Sequence, residues 1–149
     1  MKIAIVGAGA IGGWLAAGLL RSGRAQVSLL ARGATLAALR QRGLLFSTAQ
    51  GEERWAVKAS DQAADLGEQD WVVLALKAPA LLAMAPGLPA TLGPLLGPQT
   101  RVLTAMNGVP WWFLHGLQPR WADGARTDGR LHSVDPDHQL AQALPATQV

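Results

Sequence analysis

Cysteine and tyrosine are absent from this chain of 149 residues, and phenylalanine occurs twice. The lack of cysteine excludes a disulfide scaffold and any thiolate metal site. Charge is also scarce. Only 15% of residues are Asp, Glu, Lys or Arg, against 50% hydrophobic, a balance that excludes global disorder and allows one buried core. A sequence pI of about 10.2 points at first to nucleic acid. It rests on a net charge of only +3, because without Cys or Tyr little titrates between His and Lys. No nucleic-acid partner is expected. One absence is local. Residues 1–42 contain no Asp or Glu, yet carry Lys2, Arg21, Arg24, Arg32, Arg40 and Arg42. The three histidines, His115, His132 and His138, have neither metal-ligand spacing nor a paired nucleophile, so no metal site is expected.

A charge-free run of eighteen residues, 3–20, is long enough to suggest a signal or membrane segment. Five glycines within it argue otherwise, since glycine costs about 1 kcal/mol per helical position relative to alanine. The run divides instead into a strand, a turn and a helix. Residues 2–6 are short, apolar and β-branched, which suits a strand buried on both faces. From Ala10 the period changes: Ile11, Leu15, Gly18 and Leu19 share one helical face, and Gly23 suits a C-terminal cap. No membrane association is expected.

Between strand and helix stands Gly7-Ala8-Gly9-Ala10-Ile11-Gly12, a G-x-G-x-x-G turn. The pattern alone is weak, but its strand-before and helix-after context is the one phosphate binding needs. Gly7 permits the tight turn, Gly9 lets a pyrophosphate approach the backbone, and Gly12 lets the helix pack on the strand. The N–H groups at the helix start then face the phosphates. These six residues are therefore candidates for holding a dinucleotide. Residues 26–31 read as the second strand of a βαβ unit of about 30 residues. Where an NAD site usually carries an acid for the ribose hydroxyls, this chain has Arg32. Its guanidinium can pair with a 2′-phosphate through two parallel charge-assisted bonds, and no carboxylate is expected anywhere nearby to repel that phosphate, so NADP(H) is expected over NAD(H). The alternative is an ordinary solvated arginine at a strand end. Arg40 and Arg42, on a short helix over 34–42, either add to the local field or, as the surface position favours, are solvated charge.

Further along, residues 44–47 and 54–58 read as short strands, and 60–66 as a small helix. Residues 71–76 form the next buried parallel strand, ending in Lys77 at the edge where open α/β sheets place ligands. Five prolines between 78 and 98 predict broken helical turns. Residues 101–104 form another strand running into Met106-Asn107-Gly108. Trp111, Trp112 and Phe113 follow as an aromatic cluster, in which Trp111 and Trp112 are read as packing rather than as stacking on substrate. Residues 116–133 read as irregular. Asp135 or Ser133 starts a helix over 136–144, with Pro136 at its first position. Lys77 is either a cation for a substrate carboxylate or cofactor oxygen, or a solvated loop lysine. Asn107 either orients a ribose or carbonyl group, or serves an Asn-Gly turn. The expected fold is α/β: a Rossmann-like, doubly wound, mostly parallel sheet, with about four main strands and incomplete at the C-terminus.

In order and spacing, residues 2–23 with their glycine turn, Leu29-Leu30-Ala31-Arg32, residues 72–77 and Met106-Asn107-Gly108 resemble the N-terminal part of the ketopantoate reductases (2-dehydropantoate 2-reductases). The resemblance spans most of residues 1–113. It implies reduction of 2-dehydropantoate to pantoate with NADPH, a cytoplasmic step towards pantothenate and coenzyme A, on a small-molecule 2-oxo acid. By position, Gly7, Ala8, Gly9, Ala10, Ile11 and Gly12 would hold the pyrophosphate and Arg32 the 2′-phosphate. Lys77 and Asn107 would lie by the nicotinamide end, on ribose, nicotinamide or substrate. In the resembled family a lysine and a glutamate of a helical C-terminal domain supply proton donation and cofactor contacts. That domain is not found within residues 1–149, which read as one truncated dinucleotide-binding domain, with Ala146-Thr147-Gln148-Val149 as the start of a further strand. Such a fragment is expected to be inactive alone. Its unfinished sheet edge favours a homo-oligomer. Two alternatives stand beside the reductase: an isolated, non-catalytic NADP-binding module or remnant, and another 2-oxo or 3-hydroxy acid dehydrogenase.

Overall fold

Strand β1 (Lys2–Val6) alternates its apolar side chains between two layers, Ile3 and Ile5 into one and Ala4 and Val6 into the other, and all four are buried. Around it the computed structural model, which describes residues 1–115 and 130–149, places the remaining elements in chain order. These are α1 (Ala10–Ser22), β2 (Gln26–Leu30), α2 (Gly33–Arg42), β3 (Leu44–Thr48), β4 (Gly51–Trp55), β5 (Lys58–Ser60) and α3 (Ala63–Leu66). They continue with β6 (Gln69–Leu74), α4 (Ala78–Met84), α5 (Leu88–Leu92), β7 (Leu96–Thr104) and α6 (Gln139–Ala143). Five strands form one sheet in the order β5-β2-β1-β6-β7, and every neighbouring pair is parallel. Strands β3 and β4 pair antiparallel as a separate hairpin. The fold is Rossmann-like α/β. The acid-free opening divides as its glycines predict, into strand, turn and helix, and α1 ends where the Gly23 N–H meets the Leu20 carbonyl.

Each face of the sheet has its own core. Ile3, Ile5, Val27, Leu29 and Val73 pack against Ala16 and Ala17 of α1 and Leu36 and Leu39 of α2. Ala4, Val6, Val72, Leu74 and Val102 pack against Leu81, Leu88, Leu92, Leu95 and the far-downstream Leu140 and Leu144. This second layer is built largely from the proline-broken stretch. Ala78–Leu95 has the length and apolarity of a membrane span, with a mean hydropathy of 1.2. Its prolines divide it into α4, a 3-10 turn at Ala85–Gly87, α5 and a second 3-10 turn at Gly93–Leu95. Trp111 joins this core and Trp112 packs against it, as the packing reading of these two residues requires, whereas Phe113 is exposed.

Several boundaries differ from expectation. The stretch 54–58 is not one strand. Trp55 pairs antiparallel with Leu44, whereas Lys58 pairs parallel with Ser28. Trp55, Val57 and Ala59 all pack on the same core, so the chain keeps its two-residue alternation while changing partner. Among the described residues the main sheet therefore has five strands rather than about four. Strand β6 starts at Gln69 and ends at Leu74, short of the expected 71–76. Its neighbour β7 begins at Leu96, because Thr100 ties the strand's start down: its hydroxyl donates to the Gln69 carbonyl and accepts from the Gly97 N–H. Helix α6 starts at Gln139, not at Pro136. The buried Asp135 carboxylate nonetheless caps it, accepting from the N–H groups of Leu140 and Ala141 at 3.0 Å each. The last residues form a turn rather than a strand. Their Gln148 carbonyl accepts from Val102 N–H at 2.7 Å, so part of the β7 edge is covered by the chain itself. The irregular segment expected over 116–133 lies outside the described residues from 116 to 129.

Candidate active site

At the carboxyl edge of the sheet the hydrogen-bond ladder runs one residue past four strands. Gly7 N–H donates to Leu30 O, Ala31 to Ser60 O, Ala75 to Val6 O and Ala105 to Leu74 O, at 2.9 to 3.1 Å. The loops after β1, β2, β6 and β7 thus leave from one aligned row, and the glycine turn, Arg32, Lys77 and Asn107 all follow it closely. This is the edge at which open α/β sheets present ligand-binding groups.

After β1 the chain turns sharply. Gly7 has φ +97°, and a side chain there would meet Leu76 Cδ2 at 2.7 Å and Ala75 O at 2.8 Å. A Cβ on Gly12 would overlap the Gly7 carbonyl oxygen, so α1 seats on the turn only with glycine at that position. Gly9, the N-cap of α1, is different: a Cβ there would meet nothing within 4 Å. Its backbone faces open space, a cradle that a side chain would begin to fill. Ala10 and Ile11 open the helix, and both are exposed.

A cleft of about 280 Å³ lies over this turn. Gly7, Ala8, Gly9 and Arg32 line it, together with Thr35, Asp61, Leu76, Met84 and Thr91. Arg32 is the N-cap of α2, with an extended backbone, and its side chain has no ion pair or hydrogen bond among the described residues. The first turn of α2 contains no acid. A free guanidinium and a helix N-terminus therefore meet at one side of the cleft, an arrangement that favours an anion. Two other cations of the acid-free stretch are engaged elsewhere. Arg21 donates to both oxygens of Glu53, at 2.6 and 3.1 Å, and stacks 5.8 Å from the centre of the Phe46 ring. That hydrogen bond, and then the carboxylate charge, raise the pKa of Arg21 above its ordinary value. Arg40, read from sequence as solvated, reaches β5: its Nε donates to Ala59 O at 3.4 Å and its Nη2 lies 3.9 Å from Asp61 Oδ1.

Lys77 and Asn107 stand apart from the cleft lining. Lys77 does not end a strand. It is the exposed N-cap of α4, and its carbonyl accepts from the N–H groups of Ala80 and Leu81. Asn107 is exposed in a bend ahead of Gly108, whose φ is +94°. Leu74 and Thr104 are in register, so Lys77 and Asn107 leave the sheet at equivalent positions, each three residues past its strand.

Thr35, Asp61, Leu76, Met84 and Thr91 were missed by sequence reasoning. Asp61 had a usable signal, since it directly follows a parallel strand. That strand was concealed by the continuous alternation through residues 54–60, and Asp61 was absorbed into an expected helix over 60–66. Its presence corrects the expectation that no carboxylate stands near Arg32. Met84 and Thr91 come from the broken helical stretch, whose path no local pattern predicts.

A five-stranded parallel sheet, a glycine turn packed on its first helix and a cleft at the carboxyl edge define a Rossmann-like domain of the kind that holds a nicotinamide cofactor. Comparison with known proteins gives the family. The ketopantoate reductase PanE/ApbA family model matches residues 3–110, and the chain belongs to that family of oxidoreductases. It is 47% identical over 151 residues to a 2-dehydropantoate 2-reductase of Mesorhizobium japonicum, covering all of this chain and 43% of that protein. The chain thus spans less than half the length of this curated relative. The crystal structure of a candidate ketopantoate reductase from Ralstonia solanacearum MolK2 superposes with a TM-score of 0.83 and 47% identity, over 99% of this chain and 42% of that one. A D-mandelate dehydrogenase, solved with NADH and anilino(oxo)acetate, gives a TM-score of 0.61 at 26% identity, over 73% of this chain and 34% of that one.

Proposed function

We propose that this chain is the cofactor-binding portion of a cytoplasmic, NADPH-dependent reductase that converts 2-dehydropantoate to pantoate. The observation that carries the NADPH assignment is Arg32, unpaired at the N-terminus of α2 on the wall of the cleft that the glycine turn opens. The turn holds the pyrophosphate against the backbone at Gly9, with Ala8, Ala10 and Ile11 around it. Arg32 takes the 2′-phosphate through two charge-assisted hydrogen bonds. NADPH, when bound, supplies the hydride for the ketone carbon. Lys77 and Asn107 leave adjacent strands at matching positions and, once a further wall aims them, orient the nicotinamide ribose or the 2-oxo acid. The group that protonates the developing alkoxide is assigned to residues outside these 149, so the chain alone is expected to turn nothing over.

A second reading has its own support. Asp61 lines the same cleft, and the D-mandelate dehydrogenase neighbour carries NADH. Titration with NADPH and with NADH, followed by quenching of tryptophan fluorescence, decides between them. The expected result is NADPH binding tighter by about tenfold or more, the value of one charge-assisted contact. Equal or tighter NADH binding overturns the NADP assignment. A parallel assay of NADPH oxidation with 2-dehydropantoate should show no turnover, and measurable turnover would place the proton donor inside this chain.

A further inference from the structure

We propose that Asp61, restrained by Arg40, sets how strongly the cleft prefers a dinucleotide that carries a 2′-phosphate. The inference rests on the dinucleotide reading of the cleft and adds two residues to it. Asp61 directly follows Ser60, the last residue of β5, and β5 is the neighbour of β2, whose chain runs on to Arg32. Asp61, Arg32 and Thr35 line one cleft. A phosphate monoester there carries a charge of about −1.5 to −2, so it gains from Arg32 and loses to the Asp61 carboxylate.

The turn after β5 does not use that carboxylate. The Ser60 hydroxyl donates to Asp65 and accepts from the Gln62 N–H, which closes the turn without Asp61. Among the described residues the one ion pair to Asp61 is with Arg40. Arg40 is not free to roam. Leu36 and Leu39 bury α2 on the sheet, and the Arg40 Nε donates to the Ala59 carbonyl of β5 itself. The guanidinium is therefore held over the end of β5, outside the cleft lining, where it offsets the one carboxylate that the described residues bring to that lining. Both partners are about half exposed, so the effects are severalfold rather than orders of magnitude.

The test is a cycle of dissociation constants for NADPH, NADH, 2′,5′-ADP and 5′-AMP on the full chain: parent, Asp61→Asn, Arg40→Gln and the double variant. Asp61→Asn should tighten NADPH and 2′,5′-ADP by about three- to fivefold and leave NADH and 5′-AMP within about twofold. Arg40→Gln should weaken NADPH by a similar factor, and its effect should shrink by at least half once Asp61 is Asn. These changes should fade as salt is raised. An unchanged NADPH affinity in Asp61→Asn overturns the inference. So does a selective loss of NADH, which would make Asp61 a ribose acceptor, and so does an Arg40→Gln effect that is the same with and without Asp61. If Arg40→Gln does not fold, Asp61→Asn with 2′,5′-ADP decides alone. Failure of the parent chain to bind either coenzyme overturns the cleft reading and the inference together, whereas binding by the parent with no response in Asp61→Asn overturns the inference alone.

Discussion

The carboxyl edge of the sheet has two sides, and they are built differently. On the side of β1, β2 and β5, the turn after each strand contributes to one cleft: Gly7 to Gly9 after β1, Arg32 after β2 and Asp61 after β5. On the side of β6 and β7, Lys77 and Asn107 also leave the edge in register, yet neither reaches the cleft lining. The first side has short loops that lead straight into helices. Ala10 starts α1 and Gly33 starts α2, within a few residues of their strands. Loops this short leave polar groups little freedom, so burial of α1 and α2 also positions the binding groups. On the second side the loop from β6 to α4 is equally short, yet it brings Leu76 rather than the exposed Lys77 into the lining, and Asn107 is exposed in a bend after β7. Glycine geometry and one unpaired cation are thus enough to shape a half-site, whereas residues meant for a reacting centre need a further wall to aim them.

The largest expected effect tests the rigidity of the first side. Gly12→Val places a side chain on the Gly7 carbonyl and should cost about 3 kcal/mol or more, read as a drop in the thermal midpoint. Gly9→Ala is its control. It meets no atom, so it should cost less than about 1 kcal/mol in stability while weakening coenzyme binding by about tenfold. Equal destabilisation by the two changes would make the turn a purely structural feature. Next in size, Arg32→Gln should weaken NADPH by about 10- to 100-fold and NADH by no more than about threefold. A matched loss for both coenzymes would remove Arg32 from phosphate recognition. The smallest effects belong to the second side. Lys77→Ala and Asn107→Ala should each change stability by no more than about 0.5 kcal/mol and coenzyme affinity by no more than about threefold. A tenfold loss of NADPH binding for either variant would break the contrast, because it would bring that residue into the cleft.

Much of the first side was legible from sequence. The strand, glycine turn and helix lie within two dozen residues, and each changes the local pattern: a β-branched run, then glycines, then a helix, whose buried face is Gly12, Ala16 and Ala17 rather than the stripe that includes Ile11 and Gly18. Arg32 was visible as a departure at a position where an acid is usual. Asp61 was not, because the extended chain from Arg54 to Ser60 alternates without a break while it passes from the hairpin to the main sheet. Alternation reports which face is buried and says nothing of which strand lies alongside. The ends of β6 and α6 were misplaced for a related reason. The Thr100 hydroxyl ties down a backbone group far off in sequence, and the Asp135 carboxylate ties down two that lie five and six residues away.

By itself the sequence determined the α/β pattern, the glycine turn and the acid-free character of the first 42 residues, since these depend on neighbours a few positions apart. Tertiary structure alone decided what the cations of that stretch do. Glu53 meets Arg21, Asp61 meets Arg40, and Arg32 remains open on the cleft. Charges pair through space over a few ångströms, and only the folded sheet brings acids from beyond residue 51 beside cations from the first 42.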